Sequence, residues 1–242
     1  MPKPTIVLVH GAWADASSWS AVAAELQRQE FTVLAPPNLL RGVAADAPYI
    51  SSVLAQRTSG PVVLVGHSYG GFVITNAATG GGDVRALVFV DAFVPDEGET
   101  VFQILGGSGS ALDVPDPTTV LDLVGYPGAP EGDVEAFLKA DTVHRSFAQD
   151  LSERDRRFIH ASQRPITLSA NLTPSTSAGW QTLPSWAVVG TEDLVIPPQT
   201  QRQMAERAGA TITEVAASHV SMVSQPQVAI DAILAAAAAV QS

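Results

Sequence analysis

The chain has 242 residues, no cysteine, and is 46% hydrophobic, 15% charged and 6% aromatic. That length suits one large domain, and the missing thiols exclude a disulfide framework, a thiolate metal site and a cysteine nucleophile. With 24 acidic against 13 basic residues the formal net charge is −11, which repels phosphate backbones and anionic membrane surfaces and argues against nucleic acid as a partner.

The apolar stretch Ile6 to Val9 near the start is too short for a signal-peptide core or a membrane span, so a soluble, cytoplasmic protein is expected. Thr5–Val9 reads instead as a first strand. After the turn His10-Gly11-Ala12-Trp13, residues 18–29 have helical period, with Asp15 or Ser17 available to cap them. A strand at 31–35, a helix at 43–58, a strand at 62–65, a helix at 69–78 and a strand at 84–90 follow. Short β-branched runs alternating with longer Ala-rich segments are the signature of βα units around a parallel sheet buried on both faces.

From Pro95 to Pro184 the alternation stops. Residues 131–139 and 152–163 look helical, Gly106 to Ser110 reads as a flexible loop, and Arg154, Arg156 and Arg157 form a solvated helix face. We expect a helical cap at 95–184 inserted into an α/β core made of 1–94 and 185–242. Strands at 186–189 and Thr211–Val215, with helices at 198–208 and 226–240, complete a mainly parallel six-stranded pattern.

The sharpest motif is Val65-Gly66-His67-Ser68-Tyr69-Gly70-Gly71, in which a strand runs through Gly-x-Ser-x-Gly into a helix. Such a turn strains the serine backbone and needs small residues two before and two after it, and it presents the Ser68 hydroxyl beside a helix N-terminus that favours developing negative charge. The His10-Gly11 turn after the first strand brings a second backbone N–H to the same edge. Ala12 and Tyr69 are therefore the candidate oxyanion donors.

A serine hydroxyl needs a base, and the base needs an orienting acid. Of five histidines, His10 and His67 sit inside the two turns and read as braces, and His144 and His160 fall in the cap. His219 follows the last strand and is the candidate base. For the acid, Asp193 in Gly190-Thr191-Glu192-Asp193 is preferred to Glu192, and Asp91 after the 84–90 strand is the alternative.

At these residues the chain resembles the α/β-hydrolase family, and most closely its small branch of plant methylesterases, hydroxynitrile lyases and bacterial relatives. The resemblance implies a mainly parallel sheet with a cap, a Ser68-Asp193-His219 triad, no metal and no cofactor. Hydroxynitrile lyases of this branch carry Thr where this chain has Gly11 and Lys where it has Val220, so lyase chemistry is disfavoured. Hydrolysis of a small carboxylic ester is favoured. A receptor-like protein with little turnover and an acyltransferase or perhydrolase acting at the same site are the alternatives. Trp13 and Tyr69, with Phe102, Phe137 and Phe147 from the cap, are expected around the substrate, with Gly11 beside it; His144 is the cap residue whose imidazole could bind a substrate oxygen, a surface or core role being the alternative. The oligomeric state is left open, a homodimer being one option.

Overall fold

A computed structural model describes residues 3–241. Six strands form one fully parallel sheet in the order β2-β1-β3-β4-β8-β9. These are β1 (Thr5–Val9), β2 (Val33–Leu34), β3 (Pro61–His67), β4 (Asp83–Val90), β8 (Ser185–Gly190) and β9 (Thr211–Val215). In β1 and in most of β3 and β4 successive side chains are buried on both faces, which is why these segments read as continuous apolar runs rather than alternating ones. The expected second strand shrinks to two residues at the sheet edge, half-buried and paired only with β1.

Helices α1 (Ser20–Arg28), α2 (Val43–Arg57), α3 (Tyr69–Ala77), α7 (Pro198–Arg207) and α9 (Pro226–Gln241) lie within two residues of their expected bounds. Asp15, rather than Ser17, caps the short 3₁₀ turn Ala16–Trp19 that leads into α1, accepting from the Ser17 N–H at 2.7 Å. Helix α1 packs on α9, and α2 packs on α3. Every residue of α3 is buried, so the helix behind Ser68 is enclosed along its whole length. A four-residue helix, α8 (Ser221–Ser224), joins β9 to α9. No helix among the described residues is long and apolar enough to cross a membrane.

The segment between β4 and β8 corrects the expectation of a purely helical cap. It contains α4 (Val101–Leu105), the single turn α5 (Ala140–Thr142) and α6 (Glu153–Ser162). It also contains a three-stranded antiparallel sheet of β5 (Leu121–Val124), β6 (Glu135–Leu138) and β7 (Ile166–Thr167), in the order β5-β6-β7. Residues 131–139, expected to be a helix, instead hold β6, where Ala136 and Leu138 are buried and Glu135 and Phe137 only half so. That alternation is the period of a strand packed on one face only.

Candidate active site

Register brings the C-terminal ends of the parallel strands to one edge: Val9 pairs with Gly66, His67 with Val90, Val90 with Val188 and Gly190 with Val215. The loops leaving those ends carry Gly11 to Trp13, Ser68, Asp91, Asp193 and His219. Residues more than 200 positions apart in sequence thus meet above one sheet edge.

Ser68 adopts φ +53° and ψ −124°, a conformation rare for a residue with a side chain. The glycines around it are demanded by close approach. A Cβ on Gly66 would lie 2.6 Å from the Gly70 carbonyl oxygen, and one on Gly70 would lie 2.4 Å from the Val9 carbonyl oxygen. The turn projects the Ser68 hydroxyl toward His219, donating to Nε2 at 2.8 Å. On the far side of the ring, Nδ1–H donates to Asp193 Oδ2 at 2.7 Å. Because an ionised carboxylate only accepts, it fixes the tautomer and leaves the Nε2 lone pair facing the serine. All three residues are buried, His219 completely.

Asp193 is held by donors that its sequence neighbourhood does not advertise. Its Oδ1 accepts the N–H groups of Val195 at 2.7 Å and Ile196 at 3.0 Å, and its Oδ2 also accepts from Gln201 Nε2 at 2.7 Å. The first two come from the loop that prolines steer into α7, and the third from α7 itself. These N–H partners hold the carboxylate in place, so that it cannot swing away from the imidazole.

The other two histidines of the turns act as braces. His10 Nδ1–H donates to the Gly11 carbonyl at 2.9 Å while Nε2 accepts the Asn38 N–H at 2.9 Å. Burial lowers its pKa to about 4. His67 donates from Nε2 to the His219 carbonyl oxygen at 2.8 Å, tying the Ser68 turn to the loop after β9, and burial holds its pKa well below the usual value. Both are neutral.

The N–H groups of Ala12 and of Tyr69, the first residue of α3, have no acceptor among the described residues. Both residues line a cavity of about 450 Å³ that also reaches Ser68 and Trp13. The walls are apolar, with Phe93, Phe102 and Val195 among them, and the only charged residue is Asp113, with no cation in the lining. The Tyr69 ring points away from chemistry: its hydroxyl donates to Asp46 Oδ2 at 2.9 Å. Asp46 is fully buried in α2, where burial raises its carboxyl pKa against the bonds it receives.

Several expectations change here. Phe102 lines the cavity, whereas Phe147 lines a smaller one of about 130 Å³ with Trp13 and sets its ring 5.2 Å from that of His219. Phe137 and His144 line neither cavity. The His144 carbonyl instead accepts from Arg156 at 3.3 Å, because α5 runs into a π-helical turn that points Phe147, not His144, at the site. Gly11 contributes no lining atom but lies against the Ser68 turn, where a Cβ would be 2.6 Å from Ser68 Cβ. Asp91 bonds neither ring nitrogen of His219, both of which have other partners.

Residues 6–232 match the alpha/beta hydrolase family. The chain is 37% identical over 111 residues to a carbendazim hydrolyzing esterase of Nocardioides sp., a match covering 41% of this chain and 46% of that protein, so it spans less than half of that relative. It is 27% identical over 255 residues to Methylesterase 2 of Arabidopsis thaliana, covering 97% and 96% of the two chains. Among solved structures, polyneuridine aldehyde esterase superposes with a TM-score of 0.77 at 20% identity, over 97% of this chain and 99% of that one.

Proposed function

The chain belongs to the alpha/beta hydrolase family, and from that premise we propose that it is a carboxylic ester hydrolase working through Ser68, His219 and Asp193. The observation that carries this reading is the hydrogen-bond chain from Ser68 through His219 to Asp193, opening on an apolar cavity beside two unpaired N–H groups. Ser68 Oγ attacks the ester carbonyl carbon as its proton passes to His219 Nε2. Asp193 stabilises the imidazolium so formed and keeps Nδ1 protonated. The Ala12 and Tyr69 N–H groups receive the tetrahedral oxyanion. Collapse expels the alcohol, which takes the proton from Nε2. Water, deprotonated by the same nitrogen, then attacks the acyl-Ser68 ester and releases the carboxylic acid.

The cavity supports neutral, apolar esters, since no cationic side chain lines it to pair an anionic substrate. Cyanohydrin cleavage is disfavoured by Val220, which follows His219 with an apolar, buried side chain and cannot stabilise a departing anion.

Turnover of p-nitrophenyl acetate, butyrate and hexanoate tests the reading. Ser68→Ala should lower kcat/KM by about 10⁴-fold or more while leaving the fold intact. Turnover by Ser68→Ala equal to that of the unmodified protein would overturn it.

A further inference from the structure

Asp91 is a buried carboxylate that the mechanism above does not use. It follows β4, the strand between the nucleophile strand β3 and the acid strand β8. It is fully buried, has φ +46°, and donates its own N–H to the Val188 carbonyl at 2.9 Å. Its two oxygens reach different loops. Oδ1 accepts the Gly190 N–H at the end of β8, and Oδ2 accepts the Ser221 N–H two residues after His219, both at 2.9 Å. The fit is close: a Cβ on Gly190 would lie 2.9 Å from Oδ1.

The ionisable groups facing Asp91 are Asp193, from the loop after β8, and His219, from the loop after β9. No Lys or Arg pairs with Asp91 among the described residues. A buried carboxylate in that position has one available cation, the imidazolium of His219, which exists while the serine proton resides on the ring. Asp193 takes the Nδ1 bond and three N–H donors; Asp91 takes two N–H donors and stands by.

We propose that Asp91 is a second carboxylate serving the same imidazole: it ties the acid loop to the histidine loop and, when ionised, stabilises the imidazolium that forms as His219 takes the Ser68 proton. The inference rests on the triad reading above. Asp91 touches no substrate and transfers no proton to it, so it is a positioning residue. Its own proton exchanges with solvent between turnovers. Burial, reinforced by the Asp193 charge, pushes its carboxyl up to about 7, so its ionisation falls where the enzyme would work. An amide has a single acceptor oxygen, so Asp91→Asn keeps one of the two N–H bonds and sets its NH2 against the other N–H. A purely structural acceptor would lower activity evenly across pH, whereas the role proposed changes the shape of the pH profile.

The test compares pH profiles of kcat/KM for the unmodified enzyme, Asp91→Asn, Asp193→Asn and the double variant. In the unmodified enzyme the acid limb should be steeper than one proton, because both His219 and Asp91 must lose theirs. Asp91→Asn should reduce it to one proton and displace it toward lower pH, since removing a nearby negative charge disfavours the imidazolium. The plateau should fall about tenfold. Asp91→Asn should also cost more in the Asp193→Asn background than alone.

An Asp91→Asn profile superimposable on that of the unmodified enzyme, or strictly additive effects, overturns the proposal. Should Asp91→Asn fail to fold, infrared titration of the unmodified protein decides. A protonated-carboxyl band that disappears near neutral pH, with a midpoint that drops in Asp193→Asn, supports it, and absence of such a band overturns it. Activity surviving in Ser68→Ala would defeat the triad reading itself. Inactive Ser68→Ala beside an unchanged Asp91→Asn profile defeats only the role given to Asp91.

Discussion

Gly11 shows how one missing side chain constrains the chemistry. Its position after β1 sets the backbone against the Ser68 turn so closely that a Cβ would lie 2.6 Å from Ser68 Cβ and 2.8 Å from the His67 carbonyl oxygen. Both atoms belong to a strained, buried turn with no room to retreat, so an added methyl displaces the serine rather than finding space. A shift of about 1 Å in a reacting group costs on the order of 10²-fold in rate. Gly11→Ala should therefore lower kcat/KM on p-nitrophenyl butyrate by about 10²-fold, with most of the loss in kcat. A change below twofold would mean the turn is softer than its packing indicates. The same crowding bears on the Thr that lyases of the resembling branch carry at this position: on this backbone its side chain would collide with the elbow before it reached a substrate.

Trp13 joins the two layers of the molecule at the scale of elements. Its backbone N–H donates to the Arg164 carbonyl at 2.9 Å and its indole Nε1–H to the Ala136 carbonyl of β6 at 2.8 Å, so the turn after β1 is pinned to the inserted sheet. Trp13→Phe keeps an aromatic wall but removes the indole hydrogen bond to the Ala136 carbonyl, at a cost of about 0.5–1.5 kcal/mol. Calorimetry should show Tm falling by about 2–4 °C for each kcal/mol lost in a chain of this size, and acyl-length preference should shift because the same ring lines the cavity. An unchanged Tm and chain-length profile would detach Trp13 from both roles. This contact also shows where reading by pattern stops. The inner parallel strands are legible because a strand buried on both faces is an apolar run between turn residues, and Ser68 and Asp193 follow such runs; His219 follows the exposed edge strand β9, legible instead by its β-branched residues. Strand β6 is not: Glu-Ala-Phe-Leu are good helix formers or neutral, four residues are too few to display a period of two, and its partners arrive from Leu121–Val124 and Ile166–Thr167. Gln201, Asn38 and Asp46 escape notice for a related reason. A polar side chain is seen to support a site only when packing shows which buried group it satisfies.

Across the whole molecule, the groups that build this site also decide how stability responds to acid. His10 has a native pKa of about 4 against an ordinary 6.5, so its contribution is complete above pH 6.5 and is lost as pH falls through 4, by about 3 kcal/mol. His67, lowered in the same direction by burial, adds to that loss. Asp91 works the other way. Its native pKa of about 7 lies above the ordinary 3.8, so the folded chain binds a proton that the unfolded chain has released. The stabilisation is complete below pH 3.8 and disappears as pH rises through 7. Between pH 6.5 and 4 the two effects oppose each other, and the unmodified protein should lose stability on acidification more gently than its buried histidines alone would dictate. Asp91→Asn removes the opposing contribution while leaving the surroundings of His10 and His67 unchanged. Its Tm should fall more steeply than that of the unmodified protein between pH 6.5 and 4.5, whatever the offset from the weakened bond to Ser221. Thermal melts at half-unit pH intervals measure both slopes, and parallel curves would show that Asp91 carries the same protons folded and unfolded.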